Sequence, residues 1–377
     1  MIYLDYNATT PIDKRVAKAM EPYIYNIYGN PSSSHELGQK AKSAIKKARG
    51  QIAELLEATP EEIIFTSGGS ESNNTVIKGV AEAYQQQGNH IITSQIEHQA
   101  VINVCKYLEK KGFKITYLPV DRYGMVNVED VRKAITNKTI LITIMHANNE
   151  VGTIQPLKEI SRIAHEKGIL VHTDAAQSVG KISTKVGELG IDFLSIAGHK
   201  LYAPKGIGAL YIRKGIDIEP LIHGASQEFG KRAGTENVIF EVGLGKACEL
   251  ANKDLNNGHL KRLTDHFYDL LVNEFNNQVT LNGHPEKRLP NTLNVSFKGL
   301  NGFEVLSQLD DIAASTGSAC HSGKKEASSI LQVMSIDKEI AMGAVRFSLG
   351  RYTTKEELEN VVEQLRRIVL GERKNEN

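Results

Sequence analysis

The chain has 377 residues, 41% of them hydrophobic, with 45 basic against 44 acidic side chains and a formal net charge of +1. That near-balance leaves no electrostatic footprint for direct nucleic-acid binding or an anionic membrane. Three cysteines with no C-x-x-C pair argue against a disulfide framework and a structural zinc site.

No apolar run approaches the roughly 18 residues of a membrane span. The opening MIYLDYNATTP has neither the basic nor the apolar region of a signal peptide, so a reducing cytoplasm is the expected compartment. From about residue 60 to 215, short β-branched runs alternate with segments of helical period. Strands are predicted at Ile63–Phe65, His90–Thr93, Ile115–Val120, Thr139–Met145, Ile169–His172, Phe193–Ile196 and Gly208–Ile212. Stretches such as Glu71–Gln87 and Leu157–Lys167 place apolar residues three and four apart, as amphipathic helices do. This alternation predicts an α/β fold with a mostly parallel sheet covered on both faces. Helical period also fills Val242–Lys253 and Leu260–Phe275. The remainder mixes strands (Leu293–Phe297, Ala344–Leu349) with a last helix from Lys355 to Leu370 and reads as a smaller α+β domain. The division is set at residues 13–257 for the large domain, and 1–12 with 258–377 for the small one.

In an open parallel sheet, ligands bind beyond the carboxyl ends of the strands. Several polar clusters fall there. Thr-Ser-Gly-Gly-Ser-Glu-Ser (66–72) follows the first of these strands and opens a helix, a setting that suits a phosphate, although a Gly-Ser helix start is often only a cap. Later strands are followed by Glu97-His98, Asn148-Asn149-Glu150, His172-Thr173-Asp174 with Gln177, and Gly198-His199-Lys200. Each alone reads as a loop residue satisfying backbone groups; together they converge on one rim.

Two chemistries compete for that rim. His172 and Asp174 with His98, His146 and His199 are candidate metal ligands for a hydrolase, but Lys200 would set a cation beside the metal. A pyridoxal-phosphate site needs a Schiff-base lysine, an acid for the pyridine nitrogen, an anion cradle and a group flat against the ring. Lys200, Asp174, the Ser67–Ser70 turn with Gly69, and His98 supply these, and this reading is preferred, with no metal expected.

The three cysteines separate. Cys105 and Cys248 fall on apolar helical stripes and read as core. Cys320 lies among small residues in Ser-Thr-Gly-Ser-Ala-Cys-His-Ser-Gly-Lys-Lys (315–325), which suits an accessible thiol of lowered pKa as well as a tolerated loop cysteine. Of two late arginines, Arg346 alternates with apolar residues in a strand and is read as facing solvent. Arg351 follows Gly350 and suits a substrate carboxylate. For either, a surface ion pair is the ordinary alternative.

The ordered marks Tyr28-Gly-Asn-Pro-Ser-Ser33, Ser67-Gly-Gly-Ser-Glu-Ser72, His172-Thr-Asp-Ala-Ala-Gln177, Gly198-His-Lys200, Gly234-Thr-Glu-Asn237 and Gly317-Ser-Ala-Cys320 resemble the NifS/IscS-like cysteine desulfurases of the class V aminotransferase family. The likeness runs from Tyr3 to Thr354. It implies a fold-type I homodimer that converts L-cysteine to L-alanine, with Lys200 carrying pyridoxal 5'-phosphate and Cys320 taking the sulfur as a persulfide. Asp174 would pair with the pyridinium nitrogen, and His98 would stack on the ring and shuttle protons. Gln177 and Asn149 would contact the ring oxygen. Ser70, His199 and Thr235, the last from the partner subunit, would hold the phosphate, and Arg351 with Asn149 the substrate carboxylate. The sulfur acceptor would be a protein of iron–sulfur assembly, tRNA thiolation or DNA phosphorothioation. Ala197 stands where many relatives have a phosphate-contacting serine. The wording of 197–206 and the Cys-His-Ser run are similar to the DNA-phosphorothioation and selenocysteine-lyase-like subgroups, so a selenocysteine lyase is the alternative activity.

Overall fold

The computed structural model describes residues 1–255, 257–316 and 327–371. Twelve strands are present among them. β1 (Ile2–Tyr3) pairs in parallel with β11 (Ile312–Ala313). The seven strands β2 (Ile63–Thr66), β3 (His90–Ser94), β4 (Lys114–Leu118), β5 (Thr139–Thr143), β6 (Leu170–Asp174), β7 (Phe193–Ala197) and β8 (Gly208–Ile212) form one sheet in the order β2-β8-β7-β6-β5-β3-β4. β9 (Val279–Asn282), β10 (Thr292–Phe297) and β12 (Ala344–Ser348) form a three-stranded antiparallel sheet.

The large sheet is parallel from β4 through β7; only β8 runs antiparallel, to both β7 and β2. Its strands are short and, apart from the half-exposed edge strand β4, almost entirely buried, the pattern of a sheet covered on both faces. One core lies on one face around Ile52, Leu56, Ile142, Leu194 and Leu244, and another on the opposite face around Val76, Ile91, Cys105 and Phe193. Both Cys105 and Cys248 are fully buried in these cores. A third core gathers Leu4, Phe267, Phe297, Phe347 and Leu358 against the small sheet. The first residues of the chain pass between these bodies: Leu4 packs in the small-sheet core and Val16 in the large one.

All seven predicted strands of the large sheet are present, and the helices over Gly69–Ala83, Leu157–His165, Val238–Asp254, His259–Phe275 and Lys355–Val369 match their predicted segments within a few residues. The last is closed by a capping box between Thr354 and Glu357. Three features escape the pattern. β9 and the two-residue β1 and β11 exist through pairing with distant partners rather than through local periodicity. Val120, predicted as strand, instead bridges Val126 beyond the end of β4.

Candidate active site

The carboxyl ends of the central strands bring most of the predicted residues to one rim. At the end of β6, Asp174 is buried. Its two oxygens accept from Asn73 Nδ2 at 2.7 Å and from the Ala176 amide at 2.9 Å. Lys200 follows β7 in a single 3-10 turn, Gly198–Lys200. Its Nζ donates to the carbonyls of Asn7 (2.6 Å) and Ala8 (2.8 Å). Burial, assisted by the Arg346 charge, pulls the Lys200 amine down to about 8, while Asp5 and Asp174 oppose the shift. Much more of this amine is therefore uncharged near neutrality than of an exposed lysine.

The Ser67–Ser70 turn leads into the helix Gly69–Ala83, whose first amides have no partner within the helix and whose dipole favours an anion. A cavity of about 440 Å³ opens there, lined by Thr9, Gly69, Ser70 and His199 among others. One glycine keeps it tight: a Cβ on Gly208 would run into the Ile196 carbonyl and the Gly68 backbone, whereas one on Gly69 would meet Ala197 Cβ at an ordinary 3.4 Å. His199 bonds Thr9 Oγ1 at 3.1 Å, and its pKa falls to about 4, chiefly through burial and then through Lys200, Lys205 and His98. A neutral His199 acts toward an anion as a hydrogen-bonding group rather than as a cation. Thr235 is exposed in a following loop and is not among the residues lining this cavity.

His98 caps the helix Gln99–Glu109, its Nδ1 accepting from the Ala100 amide at 3.1 Å. The cap holds the neutral ring in the tautomer protonated at Nε2 and leaves the exposed ring at the rim. Glu97 beside it is structural: Ser94 Oγ and the Met145 amide donate to its carboxyl, and burial pushes its pKa up to about 8. Asn148 likewise serves its own loop, accepting from the amides of Glu150 and Val151. The half-buried Asn149 contributes its carbonyl, which accepts from Asn7 Nδ2 and Arg346 Nη1. Gln177 Nε2 donates to the Asn7 carbonyl at 2.9 Å, and its Oε1 accepts from Lys181 at 3.0 Å.

The two arginines exchange their expected surroundings. Arg346, read as facing solvent, is only 4% exposed because β12 is buried on both faces. Its Nη1 reaches Asn149 O at 2.9 Å and its Nη2 reaches Asp5 at 2.6 Å; among the described residues Nε is buried without a partner. Arg351 is already committed, ion-paired to Asp13 and to Asp254 (2.9 Å) and lying 4.5 Å over the Tyr202 ring. An orphaned buried guanidinium donor beside the lysine is what a ligand carboxylate would satisfy. Alternation along a strand could not reveal this, since it does not say whether both faces are covered.

Two of the histidines proposed for a metal, His172 and His146, are engaged within the fold. Both ring nitrogens of His172 meet hydroxyls, Thr143 at 2.7 Å and Ser195 at 3.0 Å, and His146 bonds Ser178. The geometry accords instead with a flat, phosphorylated carbonyl cofactor: an amine of lowered pKa, a buried carboxylate, and a glycine-lined turn at a helix start. Cys320 lies outside the described residues.

The aminotransferase class-V family model matches residues 2–361. Among curated relatives, "Cysteine desulfurase IscS" of Dictyoglomus turgidum (strain DSM 6724 / Z-1310) is 52% identical over 373 residues, covering 98% of this chain and 94% of its own. Its namesake from Methanosarcina thermophila is 50% identical over 372 residues, covering 98% and 92%. Of solved structures, a "NIFS-LIKE PROTEIN" superposes with a TM-score of 0.91 at 40% identity, covering 98% of this chain and 99% of its own. "SspA in complex with cysteine" superposes at 0.84 with 40% identity, covering 94% and 100%. The chain belongs to the class V aminotransferase family, and within it to the NifS/IscS-like cysteine desulfurases.

Proposed function

We propose that this cysteine desulfurase holds pyridoxal 5'-phosphate on Lys200, binds L-cysteine against Arg346, and passes its sulfur to Cys320. The observation that carries the reading is Lys200 Nζ held on the Asn7 and Ala8 carbonyls at the same rim as buried Asp174 and buried, partly unpartnered Arg346. When bound, the cofactor supplies an electron sink for the substrate's Cα–H and Cβ–S bonds. Asp174 would keep the pyridine nitrogen protonated, Gln177 with Asn149 would face the ring oxygen, and His98 would lie on the ring and move protons through Nε2. The amides at Gly69 and Ser70, with His199, would hold the phosphate, joined by Thr235 of a second copy in a homodimer. Exposed Ile24, Tyr25, Tyr28, Ile222 and Phe229 offer apolar surface for such a contact. Freed from the cofactor, Lys200 Nζ would take the Cα proton. The Cys320 thiolate would attack the substrate sulfur, forming an S–S bond as the C–S bond breaks; the products are L-alanine and a persulfide, with no outside oxidant.

We take residues 13–257 as the cofactor-binding domain, and 1–12 with 258–377 as the small domain carrying the cysteine. No helix among the described residues is long and apolar enough to cross a membrane. The reduced-thiol chemistry suits the cytoplasm, with a protein of iron–sulfur assembly, tRNA thiolation or DNA phosphorothioation as acceptor. The test is the absorbance of the purified protein supplied with pyridoxal phosphate. A band near the visible edge that shifts with L-cysteine and is lost in Lys200→Ala after dialysis is expected; a protein that stays colourless overturns the reading.

A further inference from the structure

Lys181 enters none of the roles above, yet it stands at the centre of the site's polar network. It follows Gln177 by four residues in the turns after β6, and the two side chains meet directly. Lys181 Nζ donates to Gln177 Oε1 at 3.0 Å and to Asn7 Oδ1 at 3.2 Å. Among the described residues no carboxylate forms an ion pair with it. Gln177 Nε2 in turn donates to the Asn7 carbonyl that also receives Lys200 Nζ. The Asn7 side chain accepts from Asn291 and donates to Thr292 and Asn149 O, so it is held from both sheets.

An ammonium has donors only, whereas a carboxamide can present either end. The Lys181 ammonium therefore favours the orientation in which Gln177 and Asn7 turn their oxygens toward it, an orientation that Asn291 and Thr292 also impose on Asn7. With Oε1 so taken, Gln177 faces the rim with Nε2, one hydrogen on the Asn7 carbonyl and the other left for a ligand acceptor. Without Lys181, Gln177 Oε1 loses its donor and only the bond from Nε2 to the Asn7 carbonyl holds the amide in place. Keeping a cation among two neutral amides has an electrostatic cost. Burial, with Lys200 and Arg346 adding like charge, pulls Lys181 down to about 7, so the donor-only ammonium is the form that prevails below that pH.

We propose that Lys181 is a positioning residue: by occupying Gln177 Oε1 it acts with the Asn7 carbonyl to hold Gln177 Nε2 as a donor to the cofactor's ring oxygen. This rests on the reading of Lys200 as the pyridoxal-phosphate lysine. A donor on the ring oxygen favours its anionic form, so the proton shared with Lys200 Nζ is more loosely held. Losing the donor raises the pH at which that proton leaves.

The experiment is a pH titration of the near-visible absorbance band of the cofactor-loaded protein, as wild type, Lys181→Met and Lys181→Arg, with cofactor content and thermal midpoint measured on each. Lys181→Met is expected to move the band's midpoint up by about one pH unit, tenfold in proton affinity, while Lys181→Arg, still a donor-only cation, stays near wild type. If Lys181→Met fails to hold the cofactor, Lys181→Gln gives the same test, since it keeps a polar contact but ends the donor-only constraint. An unmoved midpoint in the Met or Gln variant, or equal shifts in Met and Arg, overturns the inference while leaving the cofactor reading intact. A wild-type protein without the band overturns both.

Discussion

Arg346 and Arg351 meet opposite surroundings, although both follow one another closely at the same end of the small sheet. Arg346 offers a buried donor to the rim, whereas the Arg351 guanidinium is spent on Asp13, Asp254 and the Tyr202 ring. Charge-assisted bonds of this kind contribute about 1.5–3 kcal/mol each, so Arg346→Ala should raise KM for L-cysteine by roughly tenfold to a hundredfold. Arg351→Met should leave KM near wild type and lower the thermal midpoint modestly, because Asp13 loses one of its two arginine partners while Arg15 and Tyr352 remain. Steady-state kinetics and thermal melts on both variants check this; the reverse pattern would return the substrate carboxylate to Arg351. The positions of Lys200, Asp174 and Gly69 at the carboxyl ends of strands in the large sheet were legible in the sequence, since an open sheet binds its ligands there. Arg346, Asn7 and Lys181 were not. Their surroundings come from chain segments well over a hundred residues away, as in the bonds from Asn7 to Thr292 and from Arg346 to Asp5.

Among the elements, the helix Glu36–Leu56 reaches the loop that leads toward Thr235 through one buried ion pair. Arg49 Nη1 and Nη2 both lie 2.7 Å from the Glu228 carboxylate, and Arg49 also stacks on Phe65 and Phe229. Glu228 in addition accepts from the Phe65 amide at 2.7 Å, just before the Ser67–Ser70 turn. Removing one partner of such a pair leaves the other charged and enclosed, at a cost of about 3–5 kcal/mol. Glu228→Gln should therefore lower stability measurably by denaturant unfolding and weaken cofactor retention. A variant as stable as wild type would show that the pair is dispensable. The helices named from periodicity were legible to within a few residues at each end, whereas Lys14–Tyr25 and Glu36–Leu56 had no predicted counterpart. The pairings β1–β11 and β9–β10 were not, since a two- or four-residue strand is defined by its partner.

Across the whole molecule, several histidines are enclosed as neutral rings. Burial holds His172 at about 3 and His146 at about 4, against 6.5 for the exposed side chain. The unfolded chain gains these protons as pH falls below about 6.5 and the folded chain does not, so their contribution to stability is complete above that pH and declines toward pH 3–4. The thermal midpoint should accordingly fall steadily from pH 7 to pH 4, and less steeply in His172→Gln; a slope unchanged by that substitution would remove His172 from the account. The division into a large covered sheet and a smaller α+β unit followed from strand–helix alternation, but the joining of the two through Asn7 did not.

The most direct measurement is intact-protein mass after one equivalent of L-cysteine is added to the cofactor-loaded chain without reductant, with released L-alanine counted in parallel. The account predicts one added sulfur atom, located on Cys320 by peptide mapping, matched by one L-alanine and abolished in Cys320→Ala. Alanine released at the same rate by Cys320→Ala, or sulfur found on another residue, would contradict it.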